Sequence, residues 1–368
     1  MRVVNVMLGA GAGGLEAVGF QYARLLAEGG CDSWMICHGK SPFASGFCGK
    51  RIELSNASVA NPVAHLRLAF ALRRLHPDVV FCHGHRAAQF YTPFLRLLSR
   101  PSSCLPAPSF IAVCHGANGW RCRKFPRTIA VSDGVRDELV NKWCLPPGRV
   151  VTIPNAVRLP ERPPSVPCSS SASFGFLGRL DACKGVDILL RSFAELIRMP
   201  QFANNPPRLL IGGTGPEESE LRAQAAALGL CESVTWLGWV SDKAEFFSRV
   251  GILLQPSREE ALGLSMLEAM AYRRPVIVSD CPGPAALADP PDGPACGLVV
   301  PRGDVSALAG AMARLAADPA ACAAFGAAGR GLVETRHSEP ALLRGLMSEL
   351  SRANERETEE GETGGGPE

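Results

Sequence analysis

PSREEALGLSMLEAMAYRRPVIVSD, residues 256–280, decides the reading of this chain. It parses as loop, helix and strand. Pro256 and Ser257 break the apolar run before them, and Gly263 gives the backbone a flexible point where the helix begins. Leu264, Leu267 and Ala271, with Ala269 and Met270, give the helix a buried side; Pro275 ends it, and 276–278 form a short buried strand. Glu260 lies in the loop and Glu268 further into the helix. Near Gly263 the helix N-terminus offers unpaired N–H groups and the positive end of a dipole, a setting that suits phosphate. A carboxylate at each end of a phosphate site is what a sugar nucleotide needs, one for the sugar hydroxyls and one for the ribose.

The rest of the chain alternates short apolar runs with helical periods, which predicts an α/β protein with doubly wound parallel sheets. In the first half, strands are expected at 3–8, 33–37, 79–82, 110–114, 128–131 and 150–154. Helices are expected at 15–28, 66–75, 87–98 and from Ser132-Asp133 to about 143, while 41–49 carries no assignment. The Pro- and Ser-rich run at 158–173 marks a boundary, giving a first domain over 1–160 and a linker over 161–172. A second domain, 173–337, repeats the pattern with strands at 173–177, 234–237 and 252–255, a strand and glycine turn over 209–215, and helices at 186–198, 217–228, 305–317 and 319–330. A last helix is expected within 338–354, and the polar, Gly-rich, acidic end, 355–368, is expected to be disordered.

With 368 residues, 46% hydrophobic and 20% charged, the chain has the composition of a globular protein large enough for two cores. Its net charge of +3 conceals an asymmetry. Residues 1–165 hold 20 Lys/Arg against 9 Asp/Glu, a balance of +11; the remainder holds 18 against 26, a balance of −8. A basic first half points to an anionic partner, an acidic acceptor or an anionic membrane surface. Nucleic acid is disfavoured, since no recognition motif accompanies the basic residues. The 14 Cys form no C-x-x-C pair and sit in apolar runs, as small buried hydrophobes do in a reducing compartment. The run MRVVNVML is too short for a signal peptide, and no segment has the apolar length of a membrane span. A cytoplasmic protein is expected, peripheral on the inner membrane face if the basic half docks there.

The pattern P-S-x-x-E-x-x-G-L-x-x-x-E-A-M over 256–270 resembles the signature of retaining GT-B glycosyltransferases of family 4. Ala261-Leu262-Gly263 departs from the family's usual Gly-Phe-Gly, and Ser265 from its usual Pro. The resemblance implies two Rossmann-like domains facing a cleft, with the last helix returning to the first domain. It implies that Glu260 lies near the donor sugar, that Glu268 binds the ribose, and that the backbone of Gly263 and Leu264 holds the diphosphate. Further segments are similar to the family's. GRLDACKG (178–185) resembles its G-R-L-x-x-x-K-G, so Arg179 and Lys184 are expected to clamp the diphosphate and stabilise its growing charge. The turn at Gly238 is implied to lie near the base. Gly13-Gly14-Leu15-Glu16 resembles the Gly-Gly-x-Glu loop that faces the diphosphate, so Gly13 and Gly14 join the donor-binding set. His115 resembles a His that faces the donor sugar. A capping or packing role is the competing reading, and His83-Gly84-His85 could ligate zinc as a His-x-His pair, but no further Cys or carboxylate completes a site.

The implied activity is retaining, metal-independent transfer of a hexose-type sugar from a nucleotide diphosphate to a cell-envelope glycan or lipid-linked acceptor, as in lipopolysaccharide synthesis. No Asp-x-Asp pair is present to hold a cation on the diphosphate, and no cofactor is expected. Retention would come from a short-lived glycosyl-enzyme or from front-face attack, which the family's chemistry favours. Two rivals remain open: a GT-B epimerase or phosphorylase, and a non-catalytic sugar-nucleotide-binding protein.

Overall fold

The computed structural model describes the chain except residues 12, 55–57, 59, 92–106, 117–118, 164–171 and 364–368, with side chains described up to residue 353. The chain divides into two compact units, Met1–Asn155 with Pro340–Glu368, and Ala156–Glu339.

The first unit runs β1 (Arg2–Met7), α1 (Gly14–Glu28), β2 (Asp32–His38), α2 (Pro42–Ser45), β3 (Lys50–Leu54), α3 (Pro62–Leu75), β4 (Val79–His83) and α4 (Gly84–Phe90). It continues through β5 (Ser109–Cys114), β6 (Arg127–Ala130), α5 (Asp133–Asp137) with a π turn over Glu138–Lys142, and β7 (Val150–Thr152). Its strands form one parallel sheet in the order β3-β2-β1-β4-β5-β6-β7. Val3, Val4, Val6 and Met7 of β1 and all of β4 are buried, which is why these strands read as continuous apolar runs rather than alternating ones.

The second unit runs β8 (Ser173–Leu177), α6 (Val186–Ile197), β9 (Arg208–Gly212), α7 (Glu218–Ala227), β10 (Val234–Gly238), α8 (Lys243–Arg249) and β11 (Ile252–Gln255). It continues through α9 (Leu264–Ala271), β12 (Val276–Ser279), α10 (Pro282–Ala288), β13 (Gly297–Val300), α11 (Val305–Ala316) and α12 (Pro319–Arg336). The parallel sheet has the order β10-β9-β8-β11-β12-β13. Successive strand residues feed two cores, as a period of two requires. Phe174, Phe176, Ile252 and Leu254 pack with Leu189 and Phe193, whereas Leu177, Leu253, Val276 and Val278 pack with Met266 and Met270.

α13 (Glu339–Thr363) belongs, from Pro340, to the first unit. Buried Glu349 accepts from Arg127 Nε and Nη2, both at 2.8 Å, and Gly345 lets the helix approach Ile153 closely. α13 continues to Thr363, into the segment expected to be disordered. Residues 355–363 hold five helix-favouring Glu and no proline. The helix expected at 87–98 is corrected at its described end: α4 begins at Gly84 and stops at Phe90, and Tyr91 is extended. Positions 92–98 of that helix, like 164–171 of the expected linker, lie outside the described residues.

Candidate active site

In a doubly wound sheet, ligands bind beyond the carboxyl ends of the strands, where the winding changes direction. In the second unit that point lies between β8 and β11. The loops leaving those two strands carry Arg179 and Lys184 on one side and Glu260 and Gly263 on the other.

The two loops are joined by charge. Lys184 Nζ lies 2.5 Å from Glu260 Oε2, which also accepts from Gln255 Nε2 at 3.0 Å, while Glu260 Oε1 accepts from the Ala261 N–H at 3.2 Å. Three donors therefore fix one carboxylate, two of them on the same oxygen. Lys184 is 26% exposed and Glu260 15%, so the pair is shielded from water. Arg179 is more open to water: its side chain is 68% exposed and reaches Asp181 at 3.3 Å.

A clasp from residues the sequence did not single out holds this geometry. Arg258 forks onto Asp187 of α6, with Nη1 at 2.8 Å from Oδ1 and Nη2 at 2.7 Å from Oδ2. The same Nη1 donates to Ala182 O at 2.8 Å, and the Arg258 N–H donates to Cys183 O at 2.7 Å. Burial raises the Asp187 pKa, but the Arg258 hydrogen bonds and charge outweigh it and hold the carboxyl below its ordinary value. Arg258 thus ties the turn that carries Lys184 to the loop that carries Glu260. Gly185 completes the junction at φ +66°, where a Cβ would meet the Pro256 carbonyl. The Arg258–Asp187 pair spans 71 residues, so no local spacing signals it.

Gly263 begins α9 at φ +91°, a conformation that favours glycine, with the Gln255 amide packed where a Cβ would stand. No side chain caps α9, so its first N–H groups keep their electropositive character at the foot of the loop. Leu264 opens the helix. Glu268, one turn on, pairs with Lys243 Nζ at 3.1 Å, another partner the sequence did not single out. Burial pushes the Glu268 pKa up, with Lys243 opposing. Gly238 ends β10 at φ +62°, and its carbonyl accepts from the Gly213 N–H at 2.6 Å.

The other residues expected at the site, Gly13, Gly14 and His115, belong to the first unit. Gly13 caps α1, and the Glu16 carboxylate folds over the glycine turn against Gly9, Gly11 and Gly13. His115 follows β5, with Nε2 buried and without a hydrogen-bond partner. Burial lowers its pKa to about 4, so it is neutral near pH 7. It borders a cavity of about 230 Å³ together with His85, Cys114 and Arg121. His83 turns away from that role: its Nε2 pairs with Asn5 Oδ1 at 3.1 Å inside the core. Among the described residues, no group of three or more His, Cys, Asp and Glu is placed to hold a metal.

Comparison with known proteins sets this geometry in context. Residues 12–160 match the model of Glycosyltransferase Family 4, and residues 171–318 that of Glycosyl transferases group 1. The alpha-D-kanosaminyltransferase of Streptomyces kanamyceticus is 30% identical over 267 residues, 65% of this chain and 67% of that protein. A lipopolysaccharide core biosynthesis mannosyltransferase of Rhizobium leguminosarum bv. viciae is 34% identical over 157 residues, 41% of this chain and 43% of that protein. Among solved structures, Anabaena HepE in complex with UDP and glucose superposes with a TM-score of 0.80 at 16% identity, covering 95% of this chain and 99% of that one. The apo lipopolysaccharide outer core galactosyltransferase WaaB gives 0.72 at 20% identity, covering 96% and 99%.

Proposed function

The chain belongs to the group 1/family 4 glycosyltransferases and has the GT-B fold, and on that premise we propose a metal-independent, retaining hexosyltransferase. Its donor is a nucleotide-diphosphate sugar, and its acceptor is a cell-envelope glycan or a lipid-linked sugar.

The observation that carries this reading is the Lys184–Glu260 pair beside the uncapped N-terminus of α9. A diphosphate entering the crevice meets electropositive N–H groups, a shielded ammonium and the exposed Arg179. Lys184 then divides its hydrogen bonds between phosphate and Glu260, which leaves the Glu260 carboxylate, still held by Gln255 and Ala261, free to accept from a sugar hydroxyl. As the bond to the sugar breaks, the leaving phosphate gains negative charge and the anomeric carbon positive character. Fixed donors answer the first and the carboxylate the second. This cation set stands in for a metal at the phosphate. Front-face attack, with the leaving phosphate taking the acceptor's proton, gives retention without a covalent intermediate. Glu268 accepts from the ribose hydroxyls, and neutral His115 hydrogen-bonds a sugar hydroxyl. The lipopolysaccharide enzymes among the relatives support an envelope acceptor.

The test is a thermal-shift panel of sugar nucleotides, followed by transfer to envelope glycan acceptors in excess chelator. One donor should raise the unfolding midpoint by mass action. Its sugar should appear on the acceptor with the donor's anomeric configuration. Activity abolished by chelator and restored by manganese would sink the metal-independent mechanism. An inverted product would sink retention, and donor binding without acceptor-dependent turnover would favour a non-catalytic binding protein.

A further inference from the structure

α3 carries apolar side chains on both its faces. Asn61 caps it, with Oδ1 accepting from the Val63 N–H at 3.0 Å, and Pro62 starts it. Ala64, Leu68, Ala69, Leu72 and Leu75 bury one face, and His65 stacks on Phe90 with ring centroids 4.3 Å apart. That face suffices to fix the helix on the first unit. The opposite face should then be polar, yet it presents Val63, Leu66 and Phe70, which are 49%, 50% and 76% exposed. Phe70 is the most exposed large hydrophobic side chain among the described residues.

The cations of α3 share this face. At about 100° per residue, Phe70, Val63, Arg74 and Arg67 fall close together, with Leu66 and Arg73 on one flank, an arc of about 120°. Arg67, Arg73 and Arg74 are exposed, and α3 contains no acidic residue. A merely solvated face would mix charges of both signs and would not expose a phenyl ring. An exposed apolar ridge edged by arginines has the two components of an interfacial helix: side chains that enter the acyl boundary and cations that meet lipid phosphates. No helix among the described residues is long and apolar enough to cross a membrane, so this surface would lie on a bilayer rather than span it.

We propose that α3 is a membrane-docking helix that seats the first unit on an anionic bilayer, with Val63, Leu66 and Phe70 in the headgroup–acyl boundary and Arg67, Arg73 and Arg74 on lipid phosphates. This deepens the proposed function by naming the surface from which a lipid-linked or envelope acceptor is taken, and it rests on that reading only for its purpose. Charge complementarity argues for lipid: the first 165 residues carry 20 basic against 9 acidic side chains, and the ridge has no counter-charge of its own.

The test is co-sedimentation of the full chain with phosphatidylcholine vesicles, with and without phosphatidylglycerol, as salt is raised. Binding should require phosphatidylglycerol and weaken with salt. Phe70→Glu should weaken it about tenfold or more, with the unfolding midpoint unchanged because the side chain is already in solvent. Phe70→Trp should bind like the parent and shift its emission to the blue on the anionic vesicles. Equal binding to neutral vesicles, parent-like binding by Phe70→Glu, or an unmoved Trp emission would overturn the proposal. So would self-association that Phe70→Glu abolishes in a chain that ignores vesicles, since the ridge would then join two copies. Donor binding is measured on the same samples. Its loss in a chain that still docks would count against the proposed function and leave the docking helix standing.

Discussion

The two units share one architecture but furnish their switch points in opposite ways. At β8/β11 charges meet in pairs: Lys184 with Glu260, Arg258 with Asp187, and Glu268 with Lys243. At β1/β4 and the neighbouring β5, a glycine turn lies under the Glu16 carboxylate and His115 Nε2 is buried without a partner. The first arrangement is prepared for a ligand that brings strong charge, because fixed counter-charges need no reorganisation when it arrives. The second suits hydroxyl groups, which a neutral imidazole can bind as donor or acceptor.

The largest expected effects fall on the charged switch point. Lys184→Ala should lower turnover by about two decades or more, the scale of a lost electrostatic stabiliser. It should also lower the unfolding midpoint, because it strands a carboxylate that is 15% exposed. Arg179→Ala should lower turnover similarly while leaving the midpoint in place, as its side chain is 68% exposed. Steady-state kinetics and calorimetry on both variants check this. Turnover within about threefold of the parent in both would break the assignment of charge stabilisation to this unit.

Next in size is the division between the two glutamates. Glu260→Gln should reduce turnover about tenfold to a hundredfold with little change in donor affinity, since its charge matters most as the glycosidic bond breaks. Glu268→Gln should raise the donor Michaelis constant about tenfold with turnover largely kept, because a ribose contact is present throughout the reaction. A change confined to the donor constant in Glu260→Gln would show the sugar is misplaced.

The clasp should be worth less. Asp187→Asn frees the turn carrying Lys184 and should lower kcat/KM about fivefold to tenfold. Because the folded pKa of Asp187 lies below its ordinary 3.8, its stabilisation is present above that pH and is lost as pH falls through the folded value. The pair is partly exposed, so solvent screening limits the difference in stability at pH 7 to about 1 kcal/mol. Unfolding of parent and variant across pH measures it. A gap that persists undiminished into strong acid would mean the clasp does not act through charge.

What could be read from the sequence follows the same division. Glu260, Gly263, Glu268, Arg179 and Lys184 stand in two short segments whose resemblance to a family signature singles them out in the sequence. Arg258, Asp187 and Lys243 matter through contacts between distant segments, and each looks like an ordinary solvated charge in sequence. Missed elements share a physical cause as well. β3, KRIEL, is an edge strand with Leu54 its one fully buried residue, so it lacks the apolar run that announces a central strand. α8 and α10 are seven residues each, too short to show a period, and β13 is a four-residue edge strand.

The smallest effect on turnover, and the sharpest separation of the two units, concerns acid. Burial lowers the His115 pKa to about 4 from an ordinary 6.5, and burial lowers that of His83 as well. As pH falls below 6.5, the unfolded chain takes up protons that the folded unit refuses. Stability is therefore complete above that value and drains down to about pH 4, by about 3 kcal/mol for His115. Asp187 begins to lose its contribution only below its ordinary 3.8, so the first unit should weaken before the charged clasp of the second. His115→Gln keeps hydrogen-bonding capacity but cannot titrate. It should cost turnover only severalfold while flattening part of the stability loss between pH 6.5 and about 4, with His83, His85 and His38 contributing to the remainder. Chemical denaturation of parent and variant at intervals across that window decides it. An identical slope in both would mean that His115 takes its proton as readily in the folded chain as in the unfolded one, and the neutral switch point of the first unit would lose its defining residue.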